Sequence, residues 1–234
     1  MKKLVIFVFF FINFLTSVNA QKFLGNYNKA ASLSFGVVHI PRLWWTPEII
    51  SEYYQNTGPT ITGGIDLSDT NNNSHFFYAR YGSLNSYQDT IIFPALYPQD
   101  MDTLYGLEGR AELVSLGYSW QRSFGKKLWL QPYTLLGSEL LLQHRETQTG
   151  YYDASWSSVI LPYILPSYTL LSLNLRCGVG LRHKISDRIT LFEQAEVGTK
   201  IFHSSGSGIA FSPLHNTPTL ILFQASFGLS YKLN

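Results

Sequence analysis

The chain has 234 residues with 17 Lys and Arg against 15 Asp and Glu, and its aromatic content of 15% exceeds its charged content of 14%. So small a net charge, +2, excludes nucleic acid as an electrostatic partner. One cysteine, Cys177, excludes an intramolecular disulfide, so a secreted chain of this size must be held by a large hydrogen-bonded framework or by a membrane.

The N-terminus reads as a secretory signal. Lys2 and Lys3 precede an apolar run from Leu4 to Phe11, and Val18-Asn19-Ala20 ends the segment with small residues at cleavage-competent positions. Asn13, Thr16 and Ser17 interrupt the run before it reaches the roughly 20 apolar residues that a spanning helix needs. Residues 1–20 are therefore expected to be a signal peptide and residues 21–234 one domain. Losing Lys2 and Lys3 leaves 15 basic and 15 acidic side chains in that domain. Nothing Ser/Gly-rich or Pro-rich divides it as a linker would.

Taken in chain order, the first strand is predicted at 31–40, with Leu33, Phe35 and Val37 opposite Ser32, Ser34 and Gly36. Residues 60–67 and 74–82 alternate less clearly. Residues 106–122 keep a period of two only if a β-bulge falls near Leu113 and Val114. That reading turns Glu108, Arg110, Glu112, Ser115, Gly117 and Ser119 inward, and Val114, Leu116, Tyr118 and Trp120 outward. Residues 127–143 set Leu128, Leu130, Leu136, Leu140 and Leu142 against Gln131, Tyr133, Gly137 and Glu139, with a kink or bulge expected at Pro132. Residues 169–184 put Leu171, Leu173, Leu175, Cys177, Val179 and Leu181 on one face and Ser172, Asn174, Arg176, Gly178, Gly180 and Arg182 on the other. Residues 188–203 place Thr190, Gln194, Glu196, Gly198 and Lys200 together, but leave Glu193 among apolar neighbours, which asks for another bulge. The last strand, 219–233, is the clearest: Ile221, Phe223, Ala225, Phe227, Leu229, Tyr231 and Leu233 face away from Leu222, Gln224, Ser226, Gly228, Ser230 and Lys232.

An apolar face this long suits a tilted membrane strand better than a strand of a soluble sandwich. The connections support that choice. Segments 68–73, 123–126 and 185–187 are short and rich in turn formers. Segments 41–59, 83–105, 144–167 and 204–218 are long, and barrels of the bacterial outer membrane alternate short periplasmic turns with longer external loops in this way. The predicted fold class is all-β: an eight-stranded antiparallel up-and-down transmembrane barrel, with ten strands open as the alternative if 41–105 holds another hairpin.

With its signal, its dyad-repeat strands and the ending Phe227-Gly228-Leu229-Ser230-Tyr231, the whole mature chain resembles the small bacterial outer-membrane barrels of the OmpA-domain and OmpX type. It departs from them at its last residue, Asn234, where many such barrels carry an aromatic. The resemblance implies the bacterial outer membrane as the location and outer-membrane lipid as the surrounding partner.

An eight-stranded barrel is just wide enough for side chains to fill it. Inward charges must therefore pair across the lumen, and Glu139, Arg176, Arg182, Glu196 and Lys200 are the expected set, with Glu108, Arg110 and Glu112. The candidate for catalysis is Phe202-His203-Ser204-Ser205-Gly206, since a general base beside a hydroxyl nucleophile is what ester hydrolysis needs. The pair resembles the His-x-Ser of the outer-membrane lipid A deacylases, which would make His203 the base and Ser205 the nucleophile. Gly206 stands where that family usually has Asn, and no acid follows in 204–218 to orient the imidazole. Of the acids elsewhere, Glu146 and Asp153 are the nearest candidates.

No metal or other cofactor is expected: His39, His75, His144, His183, His203 and His215 are scattered singly, without ligand spacing. The long loops carry many aromatics, namely Trp44, Trp45, Tyr53, Tyr54, Tyr87, Tyr97, Tyr151, Tyr152 and Trp156. Half of them fit an interfacial belt. Tyr151, Tyr152, Asp153 and Trp156, in the middle of a long loop, are the expected binding residues for a surface glycan or protein. The leading reading is a barrel with a plugged lumen and a structural or surface-binding role. Its alternatives are an outer-leaflet lipid hydrolase using His203 and Ser205, and an accessory subunit of an outer-membrane transport or secretion complex.

Overall fold

Residues of alternating polarity extend into strands here because each strand separates two environments. A computed structural model describes residues 27–40, 56–94, 101–125, 129–153, 160–165, 167–205, 208–210 and 221–233. Eleven strands are present among them: β1 (Asn28–Ile40), β2 (Asn56–Ser68), β3 (Asn73–Pro94), β4 (Met101–Ser123), β5 (Leu130–Arg145), β6 (Gln148–Asp153), β7 (Ile160–Leu165), β8 (Tyr168–Lys184), β9 (Ile189–Ser205), β10 (Gly208–Ala210) and β11 (Ile221–Lys232). Eight of them, in the order β1-β2-β3-β4-β5-β8-β9-β11, pair antiparallel, and β11 closes on β1 with Phe35 opposite Phe227. Closure leaves no edge in the wall, which is how a sheet satisfies its backbone in lipid.

Three short connections gather at one end. In the first, the Asp69 carboxylate accepts from the amides of Asn71 (2.7 Å) and Asn73 (2.9 Å) and from the Asn73 side chain. The side-chain bond from Asn73 is the main reason Asp69 titrates below the ordinary range. Asn72 takes the left-handed conformation (φ 69°) that a short side chain tolerates. Gly125 does the same at φ 76° after β4. In the third turn Ser186 Oγ accepts from the amides of Arg188 and Ile189. The ends of β1 and β11 meet at this same end, where the Leu233 amide donates to the Lys29 carbonyl.

Three expectations about strands are corrected. No register shift occurs at Leu113 and Val114: β4 runs in unbroken register against β3 and β5 there. Ala111 and Leu113 are buried on the same face as Ser115 and Ser119, and Arg110 is exposed. Arg110 donates to Ser83, and Glu112 accepts from Tyr81 OH at 3.1 Å on the outer face. Nor is there a bulge at Pro132, which stays in register with Leu181. Its carbonyl accepts from Phe124 at the end of β4. Carbonyl and nitrogen of one residue point to the same side of a strand, so the missing donor falls at the hairpin mouth. Glu193 needs no bulge either; it lies on the outer face, 3.5 Å from His183 Nε2. The irregularity lies higher on β9, where Leu173 pairs with Phe202 and Asn174 with Lys200, leaving Ile201 as the extra residue.

The long connections are also corrected, because strands occupy much of them. β3 and β4 stay paired out to Pro94 opposite Met101. β6 and β7 continue the β5–β8 hairpin, from Arg145 opposite Tyr168 to Gln148 opposite Leu165. β6 then pairs with β4, Tyr105 opposite Tyr151 and Thr103 opposite Asp153. The result is a four-stranded sheet, β3-β4-β6-β7, rising from the loop end. β3 runs eight residues past its last pairing with β2 at Ser86, about 26 Å at roughly 3.3 Å per residue.

Side chains sort by face. Phe35 (62% exposed), Leu136 (58%), Leu175, Val179, Phe223 and Phe227 (56%) point outward around the wall. An apolar belt of this extent is far larger than the patches that monomeric soluble proteins expose. Trp129, Phe124 and Tyr231 ring its turn end, where amphipathic rings form a girdle.

Candidate functional site

Among the described residues, three layers of side chains face the lumen. Nearest the loop end, Val38, Leu84, Ala111, Leu113, Leu141 and Leu222 form an apolar cluster, each at most 5% exposed. At mid-height four charges from four strands meet. Arg80 Nη1 on β3 reaches Glu139 Oε2 on β5 at 2.7 Å. Arg176 Nη1 on β8 reaches the same oxygen. Glu196 on β9 lies 2.9 Å from Arg176 Nε and 3.4 Å from Arg80 Nη2. All four are buried. Neighbours add further hydrogen bonds: Arg80 Nε donates to Thr62 Oγ1, Arg176 Nη2 to Gln224 Oε1 at 2.6 Å, Gln194 Nε2 to Glu196 Oε1 and Tyr78 OH to Glu139. The third layer centres on Arg182, which donates to Asp66 Oδ2 (3.0 Å), Ser74, Ser123 and Gln121 and lies 4.8 Å over the Tyr133 ring.

Glycine makes room for the large rings. A Cβ on Gly117 would stand 2.2 Å from Tyr78 Cζ, and one on Gly180 would stand 2.3 Å from Tyr133 Cζ. The Tyr133 hydroxyl then donates to Gln194 Oε1 at 2.9 Å.

Of the residues singled out from the sequence, Glu139, Arg176 and Glu196 come together, Arg182 lies in the layer below, and Lys200 is half-buried opposite Asn174. Glu112 and Arg110 are not inside, for the register reason given above, and the side chain of Glu108 lies outside the described residues. Arg80 and Asp66 were not anticipated. Their signal was the parity of Thr60, Thr62, Gly64 and Asp66, and of Phe76, Tyr78 and Arg80, but Phe76-Phe77-Tyr78 fills both faces with aromatics and hides the period.

Tyr151 is an exposed residue of β6, paired with β4 rather than free in a loop. Tyr152 and Asp153 occupy the same strand. Trp156 lies outside the described residues, as do residues 1–20, Trp44, Trp45, Tyr53, Tyr54, Tyr97 and His215.

His203 and Ser205 lie on β9, His203 opposite Ser172 and Ser205 opposite Gly208. Their side chains, like those of Tyr152 and Asp153, are outside the described residues. Glu196 lies seven residues down the same strand and is held in the central ion pairs. Glu146 follows β5, two strands from β9 and five residues beyond Leu141, which shares its level with Ser172 and His203. That separates the Glu146 and His203 backbones by roughly 19 Å, from about 4.8 Å per strand and about 3.3 Å per residue. His39, His75 and His144 each sit within 2.9 Å of a neighbouring strand's hydroxyl. Among the described residues no group of three His, Cys, Asp or Glu is arranged to hold a metal ion.

A closed antiparallel wall, apolar outside and hydrogen-bonded inside, defines a small transmembrane β-barrel of the outer-membrane type. No family model and no curated protein matches the sequence. Among solved structures the chain is similar to Neisserial surface protein A, at 13% identity over 88% of this chain and 97% of that one, with a TM-score of 0.49. It is similar to Ail, the attachment invasion locus protein of Yersinia pestis, solved with the heparin analogue sucrose octasulfate, at 10% identity over 89% and 99% (TM-score 0.40). It is also similar to a major outer membrane protein of Thermus thermophilus, at 13% over 87% and 99% (TM-score 0.40).

Proposed function

We propose that the protein resides in the bacterial outer membrane, with its turns in the periplasm, its lumen plugged, and its loop-end sheet outside as a binding surface for a glycan or protein. The observation that carries this reading is the pairing of β4 with β6. It joins two external hairpins into one hydrogen-bonded sheet, so that Tyr151 stands exposed on a rigid element. Rigid, amphipathic rings lose little entropy on binding and stack on sugars or fill protein pockets. The plugged lumen is supported by the buried quartet and by the apolar layer above it, since a water-filled path would have to disrupt both.

A photo-crosslinking side chain at Tyr151 on intact cells tests the surface role, with the same group at lipid-facing Leu175 as control. Polysaccharide or protein adducts are expected at 151 and lipid adducts alone at 175. Lipid adducts alone at both positions would refute the binding surface. Stepwise conductance of the purified protein in a planar bilayer would refute the plug.

A further inference from the structure

The two buried arginines and two buried glutamates at mid-height balance one another. The turn-end mouth of the lumen does not balance. A cup of about 200 Å³ opens there, and every one of the eight barrel strands contributes to its lining, so it lies on the barrel axis. Among the described residues, Arg182, Lys184 and Lys232 are on the lumen-facing parity of their strands, with Lys29 and Arg188 at the rim, against two carboxylates in the lining, Asp66 and Asp187.

Partners account for part of this charge. Arg182 is fixed by Asp66 and forms the floor. Lys184 Nζ lies 2.8 Å from Asp187 Oδ1, but both side chains are largely exposed, so solvent screens the pair. Arg188 leans to the Tyr231 hydroxyl at 3.4 Å, and Lys232 is exposed at the end of β11. The ladder sets the spacing of these cations, because the Lys232 amide donates to the Arg188 carbonyl and the Leu233 amide to the Lys29 carbonyl. Hydroxyls of Ser32, Ser186, Thr190 and Ser230 complete the wall.

The geometry points to a binding site for a multiply charged oxyanion in this cup, a phosphate group carried by a small solute. Counting lumen-facing and rim residues together, the described cations of the lining outnumber its two carboxylates by three, and with several hydroxyls beside them they exceed what one carboxylate would satisfy. A phosphate brings about −1.5 to −2 charge and three strong acceptor oxygens. A concave site with low-dielectric walls focuses that potential on its ligand. The position on the axis separates the cup from the lipid headgroups outside the wall.

The test is calorimetric titration of the purified full-length mature chain in micelles, with sodium pyrophosphate, inorganic phosphate and acetate at constant ionic strength. Saturable binding of pyrophosphate is expected, weaker binding of phosphate and none of acetate. The double variant Lys184→Gln, Lys232→Gln should weaken pyrophosphate by about tenfold. Asp187→Asn removes a like charge from the rim and should tighten binding by about threefold, a gain that misfolding does not produce. Absence of saturation, unchanged affinity in the double variant, or weaker binding in Asp187→Asn would overturn the site. Binding to phosphatidylglycerol vesicles but not to soluble pyrophosphate would overturn it too, assigning these cations to the membrane surface.

Discussion

Replacing Glu139 by alanine removes the carboxylate that both Arg80 and Arg176 contact and leaves two buried guanidiniums sharing Glu196. Glu139 is only 3% exposed, so water cannot compensate the charge left over. Breaking a buried pair by removing one partner costs about 3 to 5 kcal/mol, and that is the loss expected here. The paired change Glu139→Gln with Arg176→Met removes one charge of each sign, and should recover most of the loss because balanced removal of buried ions is often neutral. Urea-driven unfolding from phosphatidylcholine vesicles, followed by tryptophan fluorescence with the denaturant slope held as a check on two-state behaviour, measures both. A loss below about 1 kcal/mol in the single variant, or a double variant less stable than the single, would show that charge pairing does not hold the lumen together.

Leu175, exposed on the outer face of β8, should tolerate no cation: Leu175→Arg is expected to cost about 2 to 4 kcal/mol near the bilayer midplane in the same unfolding assay. A side chain added at Gly180 must displace the Tyr133 ring and its bond to Gln194. Gly180→Val should therefore lose about 1 to 3 kcal/mol, whereas Gly63→Ala, with nothing within 4 Å of its new methyl, should leave the urea midpoint unchanged.

Where one face of a strand meets lipid and the other meets the lumen, the chain itself records which is which. The alternation through 169–184 and 219–233 is visible without coordinates, and the parity of Asn174, Arg176 and Gln224 already points them inward, where they are buried. The rule that polar residues face inward fails near the loop end, because the inner layer there is apolar. Leu113 and Ala111 pack against Val38 and Leu141, so a bulge invoked to turn them outward was unnecessary. Glu193 misled for the converse reason: it is a charge on the outer face, satisfied locally beside His183.

Sequence alone determined the barrel architecture, the approximate positions of the eight wall strands, the three short turns and three members of the central quartet. Each of these is a local property, written in a period of two or in turn chemistry within a few residues. Only the tertiary structure decided that Arg80 completes the quartet, that Ile201 is the bulged residue, that β6 docks on β4, and that unbalanced cations gather around the turn-end cup. Those depend on contacts between residues far apart in the chain, 59 positions in the case of Arg80 and Glu139. No local pattern encodes which strands become neighbours or at what height their charges meet, because closure of the barrel and the stagger of its strands set both.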